Sequence, residues 1–466
     1  MLFILGVLAV MGTNDFDAYF TGQTMRFDYY HSGTAKEEHI SPDEYRIEGV
    51  WPGSKTVLLD ETGLGKYLFE VSDVASGKLL YTRGFASIYG EWETTGEAAK
   101  GVWRSFHESQ RFPEPKNAVK LTLKKRGADN RFASFYETTI DPKSRFVNRA
   151  PAVKNGEVWS VFENGDPSQK VDLLILSDGY TAGEKNKFHA DVERLVKVMF
   201  ETEPFKSRKK DFNVRAMDVA SAQSGISNPR KDIWRKSALG LSFNSFDSDR
   251  YVLTYENKNL RETAANAPYD ALILLANDRK YGGGGIFNLW ATVTADAEPA
   301  AYVFVHEFGH SFAGLGDEYY TSPVSYENFT APSTEPSEPN ITALFDPKNL
   351  KWKHLVSKDT PLPTPWNKTA YDTYEIEMQK KRAKLIEEKA SEETMEALFR
   401  EVKTKTTPML NTDKYFGKVG AFEGAGYEAK GLYRPELDCI MFTRNNVPFC
   451  KVCHEAIERI IDLYAK

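Results

Sequence analysis

Pro299-Ala-Ala-Tyr-Val-Phe-Val-His306-Glu307-Phe-Gly-His310-Ser-Phe-Ala-Gly314-Leu-Gly316-Asp317-Glu318-Tyr319 decides how the chain is read. It begins as good helix material: Asp296 is a credible N-cap and Pro299 fits a first turn. On a helix of about 3.6 residues per turn, His306 and His310 project from nearly one side, a turn apart. Two imidazoles so placed can share one Zn²⁺, with Glu307 beside them as a general base. A bare HExxH also arises by chance in a core helix whose histidines are satisfied, so the residues after it carry weight.

Those residues continue the pattern. Gly314 and Gly316 let the chain leave the helix and turn back toward the histidines. In the metzincin metallopeptidases a Gly stands three residues, and a third ligand six residues, after the second His. Here Gly314 and Asp317 each come one residue later. Asp317 keeps the Gly-x-x-Asp spacing and is the preferred third ligand; Glu318 is the alternative, with Glu327 and Glu335 more remote. Far downstream, Asp438-Cys-Ile-Met441-Phe-Thr is a candidate Met-turn.

Together with Gly424-Ala-Gly-Tyr427, Gly431-Leu-Tyr-Arg-Pro435 and Phe449-Cys-Lys-Val-Cys-His-Glu-Ala456, these stretches resemble the IgA-peptidase family of bacterial zinc metallopeptidases. The resemblance runs from about residue 155 to the C-terminus, and it implies a metzincin-like catalytic domain of residues 155–466 behind an accessory domain. It implies one catalytic Zn²⁺ on His306, His310 and Asp317, Glu307 as general base, and Met441 as a platform beneath that ion's ligands. Tyr427 or Tyr433 is the candidate for stabilising the oxyanion. The implied substrate is a protein or peptide, and the family name does not make it an immunoglobulin.

The rest of the chain fits two regions. At 466 residues it is long enough for two or three domains at ~150 residues each. Hydrophobic residues at 41% and charged residues at 27% are ordinary globular values and exclude a disordered or fibrous chain. With 60 Lys plus Arg against 66 Asp plus Glu, the net charge of -6 argues against a nucleic-acid partner. From Tyr19 to about Val147 short runs rich in Phe, Tyr, Thr and Val (Thr24–Tyr30, Thr56–Leu59, Lys78–Thr82) predict an all-β sandwich over residues 13–150. Arg149-Ala-Pro-Ala-Val-Lys-Asn155 is the expected linker.

Beyond it Val171–Leu176 and Asp270–Leu275 read as buried strands, with a helix from Lys185 to about Glu201 between them. The glycine-led segment Gly282–Thr294 reads as a strand, and its part Ile286–Thr294 precedes the HExxH helix as the substrate-pairing edge strand does in metzincins; Gly282–Gly285 would either let a substrate backbone approach closely or form a flexible hairpin tip. This alternation predicts an α/β (α+β) domain. A charged helical insertion is expected at about residues 366–405, solvated and not a binding site.

The N-terminal run Leu2–Met11 is too short to span a bilayer, and residues 1–12 look like the remnant of a signal peptide. A secreted, periplasmic or cell-surface protein without stable membrane insertion is therefore expected. The three cysteines are Cys439, Cys450 and Cys453. In an exported protein they suggest a disulfide from Cys439 to Cys450 or Cys453. Cys450-Lys-Val-Cys453-His454 matches the c-type haem pattern formally, but a haem site would still need a second axial ligand and a pocket. A separate zinc site at this CxxC lacks enough ligands nearby. Asn328, Asn340 and Asn367 open weak glycosylation sequons.

The expected function is that of a zinc metalloendopeptidase acting on extracellular or host proteins. The alternative is a non-catalytic secreted protein- or glycan-binder with a vestigial protease fold, against which the intact Glu307 argues.

Overall fold

The computed structural model describes residues 13–321, 334–445 and 447–465. The apolar N-terminal run, Glu327 and Asn328 lie outside the described residues.

After helix α1 (Thr13–Tyr19) the chain lays down strands β1 (Phe20–Gly33), β2 (Glu38–Val50), β3 (Tyr67–Asp73) and β4 (Leu79–Phe85). Two short helices, α2 (Ile88–Trp92) and α3 (Gly96–Ala99), precede β5 (Arg104–Pro115), β6 (Val119–Arg126), β7 (Phe132–Ile140) and β8 (Val147–Asn148). The strands form two four-stranded sheets, ordered β5-β1-β2-β8 and β4-β3-β6-β7. Strand alternation builds their shared core: in β3, Tyr67, Phe69 and Val71 point inward and their neighbours do not. They meet Phe27, Tyr29, Phe112, Leu121 and Leu123 in one aromatic-rich cluster. The N-terminal region is therefore a sandwich, with α2 and α3 interrupting the expected all-β pattern. Residues 56–59, expected to be extended, form no strand.

The second region is built on a six-stranded mixed sheet, ordered β13-β14-β12-β10-β11-β9. In chain order its elements are β9 (Glu157–Phe162), β10 (Val171–Asp178), helix α4 (Lys185–Met199), β11 (Phe212–Asp218), helix α5 (Asn257–Ala264), β12 (Ala271–Ala276), β13 (Gly283–Ile286) and β14 (Trp290–Thr294). Strands β11, β10, β12 and β14 run parallel, and both edges, β9 and β13, are antiparallel. Val171-Asp-Leu-Leu-Ile-Leu-Ser-Asp178 is buried along its whole length because both sheet faces are covered. Leu173 and Ile175 face α4 and the next helix, α6 (Ala300–Ala313); Leu174 and Leu176 face a second cluster with Leu260 of α5.

That second cluster also takes in Ile88, Tyr89, Trp92 and Phe106 from the sandwich side, so the two regions share an apolar core. Polar contacts seal the joint: the Asn288 amide donates to the Gly84 carbonyl at 3.0 Å and Arg111 to the Tyr269 carbonyl at 2.8 Å.

The glycine-led segment departs from expectation. It is not one strand but a hairpin, β13 and β14, turning at Phe287–Leu289 with Asn288 at φ 54°. β14 is paired on both sides and fully buried, so the sheet edge is the glycine strand β13. Its glycines are required by packing. A Cβ at Gly285 would stand 2.3 Å from the Glu307 carbonyl oxygen and 2.8 Å from His310 Cβ. The HExxH helix thus lies directly against backbone.

The charged stretch is two helices, α7 (Lys368–Glu387) and α8 (Glu392–Asn411), broken at Lys389, whose φ is 51°. Ser391 restarts the second by capping the Thr394 N–H at 3.2 Å. Tyr371, Met378, Met395 and Leu398 are buried, so the pair is only partly solvated. The chain ends with the hairpin β15 (Phe422–Ala425) and β16 (Glu428–Arg434), then helix α9 (Lys451–Tyr464). Among the described residues no helix is long and apolar enough to cross a membrane.

Candidate metal centre

Helix α6 starts one turn later than Asp296 would set it. Pro299 occupies the cap position, and Asp296 instead pairs with Lys187 at 2.9 Å. At the other end Gly314 takes the left-handed conformation (φ 61°) and donates to the His310 carbonyl at 3.0 Å. That cap reverses the chain, so Asp317 returns over the last turn of the helix.

The result is a triangle of donor atoms. His306 Nε2, His310 Nε2 and Asp317 Oδ1 stand 3.1 Å from one another on all three sides. Bonds of 2.0–2.2 Å in tetrahedral geometry space ligand atoms by about 3.3–3.5 Å. The three residues therefore fit one face of a zinc-sized site with little movement. Both ring tautomers are set by backbone: His306 Nδ1 donates to the Ile440 carbonyl at 3.0 Å and His310 Nδ1 to the Leu315 carbonyl at 2.6 Å. A carbonyl can only accept, so the Nε2 lone pairs are aimed at the centre. Tyr302 adds a hydroxyl donating to the same Ile440 carbonyl at 3.0 Å.

Charge supports the grouping. Burial works to raise the Asp317 carboxyl, but His310 and His306 outweigh it and hold the group far below the usual carboxylate range. Burial works to lower His310, and the Asp317 charge reverses that, lifting it to about 9 without a metal. Glu307 is raised by burial, against the pull of the two imidazoles. It sits half-buried next to His306 and lines the cleft.

Asp317 and Glu318 part company. Glu318 is fully buried and turns away from the histidines, its Oε1 accepting from Asn340 Nδ2 at 2.9 Å and lying 3.3 Å from Cys453 Sγ. Glu335 is elsewhere, accepting from the Ala343 N–H at 3.2 Å and pairing with Lys351 at 3.5 Å.

The two tyrosine candidates also separate. Tyr427 lies at the tip of the β15–β16 hairpin, where Gly426 and Tyr427 both have positive φ (55° and 67°), as a two-residue turn of this hand requires. Its hydroxyl donates to Asp317 Oδ2, and the hairpin is tied to the ligand loop by Gly426 N–H to Asp317 O (2.9 Å) and Tyr427 N–H to Tyr319 O (3.0 Å). Tyr433 pairs with Thr342 through backbone and is not among the described residues lining the cleft. Tyr427 thus holds Asp317. Tyr427→Phe is expected to weaken metal binding about ten- to a hundredfold, the range typical of an outer-shell partner, with the fold intact; a zinc titration checks it.

Met441 lies fully buried under α6, in a turn closed by Phe442 N–H to Cys439 O at 2.9 Å. A Cβ on Gly309, inside HExxH, would come within 3.2 Å of Met441 Sδ. The Met441 carbonyl accepts the Glu318 N–H at 2.8 Å, linking platform and ligand loop. Met441→Leu nearly conserves volume, and the expected cost is under about 1.5 kcal/mol with metal retained. Denaturant melts with metal analysis measure both.

Sequence reasoning missed several residues. Asn340, seen only as a sequon, is fully buried, accepts the Gly316 N–H at 2.8 Å and donates to the Gly316 carbonyl at 2.9 Å, so it is no glycan acceptor in the folded chain. Arg382 of the supposedly uninvolved helical insertion lines the cleft. The three cysteines form no disulfide. Cys439 and Cys453 Sγ are 3.9 Å apart, and they cluster with Glu318, a partner no local reading supplies.

The triangle of donor atoms opens on a cleft of about 790 Å³. Its lining comes from both regions, Lys66 and Arg126 from the sandwich and Gly283–Gly285 and Tyr427 from the second region. Strand pairing alternates, so β13 turns the peptide groups of Gly283 and Gly285 away from β14. Those of Gly283 are taken by Arg250 and Val252, at 3.2 and 3.1 Å, and Gly285 is left facing the cleft.

Compared with known families, residues 160–461 match the family model described as IgA Peptidase M64, and residues 15–137 match the Peptidase M64 N-terminus. No curated protein matches the chain.

Proposed function

Because the chain belongs to the IgA peptidase M64 family, we propose that it is a zinc-dependent metalloendopeptidase cutting peptide bonds of extracellular or host proteins. The observation that carries this reading is the 3.1 Å triangle of His306, His310 and Asp317 with Glu307 beside it on the floor of an open cleft. When bound there, Zn²⁺ activates water for attack and polarises a carbonyl.

The protein's own groups do the rest. His306 and His310 present Nε2 because backbone carbonyls hold their Nδ1 protons. Asp317 is kept ionised and is oriented by Tyr427. Glu307, raised by burial, accepts a proton from the attacking water on one carboxylate oxygen and then delivers it to the leaving nitrogen. Gly285, facing the cleft, offers its peptide group to an extended substrate by strand addition. The edge beyond Gly283 is already occupied by residues 250–252, which limits that pairing to a short register.

In this reading residues 13–150 are an accessory sandwich that closes one wall of the cleft, residues 155–466 are the catalytic domain, and residues 1–12 direct export to the periplasm, cell surface or medium. Hydrolysis of casein by the purified full-length protein, abolished by a chelator and restored by zinc, is the expected result. A folded, zinc-loaded protein that cleaves neither casein nor a diverse peptide library would overturn it in favour of a binding role.

A further inference from the structure

Glu318, Cys439, Cys450 and Cys453 converge behind the catalytic triangle, each contributing one donor atom within 4.8 Å of all the others. All four are buried: 0% exposed for Glu318, Cys439 and Cys453, and 3% for Cys450. We propose that they form a second, structural zinc site, closed and tetrahedral, with three thiolates and one carboxylate oxygen.

Geometry is the first support. Tetrahedral zinc with sulfur at about 2.3 Å and oxygen at about 2.0–2.2 Å spaces its ligands by roughly 3.5–3.8 Å. Cys439 Sγ is 3.9 Å from Cys453 Sγ, and Glu318 Oε1 is 3.3 Å from Cys453 Sγ and 4.0 Å from Cys450 Sγ. A disulfide needs sulfurs about 2.05 Å apart, and all three cysteines are free.

The surroundings suit thiolates. Backbone N–H groups point at sulfur: Met441 and Cys450 donate to Cys439 Sγ at 3.5 and 3.2 Å, and Cys453 donates to Cys450 Sγ at 3.4 Å. Cys450 caps α9 and Cys453 lies in its first turn, where the helix favours negative charge. The buried Arg434 interacts with the Glu318 charge.

An independent observation points to a missing partner. Glu318 Oε2 is buried with no hydrogen-bond partner. Glu318 Oε1 is the oxygen lying against the sulfurs, and a buried carboxylate whose other oxygen has no partner is costly unless something binds it, a cost that a divalent cation held by this carboxylate offsets. Binding displaces the thiol protons and changes no oxidation state.

The site joins three distant segments: the ligand loop, the turn carrying Met441, and the N-terminus of α9. Glu318 follows Asp317 directly, so a closed ion here clamps the third catalytic ligand and the platform under the histidines at once. A site of this kind leaves no position for substrate. Its role is to preorganise the neighbouring centre.

The test uses the full chain produced in cobalt-supplemented medium. A thiolate-to-cobalt charge-transfer band is expected, because cysteine sulfur produces it and the His306, His310 and Asp317 donors do not. Metal analysis should give two ions per chain in the parent, and one each in His310→Ala and Cys453→Ser. The band should persist in His310→Ala and vanish in Cys453→Ser. If the cysteine variant does not fold, the parent spectrum decides alone. Absence of the band, or an intact-mass shift showing a disulfide among the three cysteines in unreduced protein, would overturn the site without touching the peptidase reading.

Discussion

Replacing Glu307 with Gln should lower kcat about a hundred- to ten-thousandfold, the range that a positioned general base supplies, with metal content unchanged. Glu307 shares its helix with His306 and His310 and feels their charge, but among the described residues no hydrogen bond or ion pair joins its carboxyl to the three donor atoms, so its loss should leave them in place. Gln keeps the shape and removes the ability to take a proton. Burial lifts the Glu307 carboxyl above its ordinary range, which makes it a stronger base. Steady-state kinetics beside metal analysis separate the roles. Turnover that survives while the metal is lost would reverse the assignment, making Glu307 a ligand and not the base.

The second large effect concerns Asp317. Asp317→Ala leaves two imidazoles to hold the ion, and zinc affinity should fall by more than the ~hundredfold typical of losing an outer-shell partner. Its carboxylate also sets the proton on His310, which sits at about 9 in the metal-free protein because Asp317 outweighs the burial that would lower it. Zinc must displace that proton from Nε2. In the parent, apparent affinity should therefore climb by about tenfold per pH unit through neutrality and stop gaining from His310 above about 9. The metal-free fold responds in the opposite sense. The folded pKa lies above the ordinary 6.5, so this pair stabilises fully below 6.5 and its contribution is lost as pH rises through about 9. Removing Asp317 should flatten both profiles, which calorimetric titration across pH reports directly.

The parts of this molecule that one segment specifies were legible in its sequence. The buried strand Val171–Asp178, the amphipathic helix Lys185–Met199 and the HExxH helix are each written in a local period. The glycines after His310 announced the chain reversal, which a left-handed Gly314 makes, but their spacing left Asp317 and Glu318 both open, and only the folded geometry separates the two. What stayed hidden depends on residues distant in sequence. Asp296 looked like a cap because nothing local reveals that Lys187 claims it. The segment 282–294 looked like one strand because its turn rests on a left-handed Asn288 bonded to the sandwich carbonyl of Gly84. The cysteines looked like a disulfide in want of a partner because Glu318 lies more than a hundred residues upstream of them. Arg382 reaches the cleft from a helix whose charge pattern spoke only of solvent.

An anomalous difference map collected at the zinc edge decides whether His306, His310 and Asp317 hold the catalytic ion. The expected result is a peak about 2.0–2.2 Å from His306 Nε2, His310 Nε2 and an Asp317 oxygen, at the floor of the cleft. An empty triangle in zinc-replete, active protein, or an ion there bound by Glu318 with Asp317 turned away, would contradict the account.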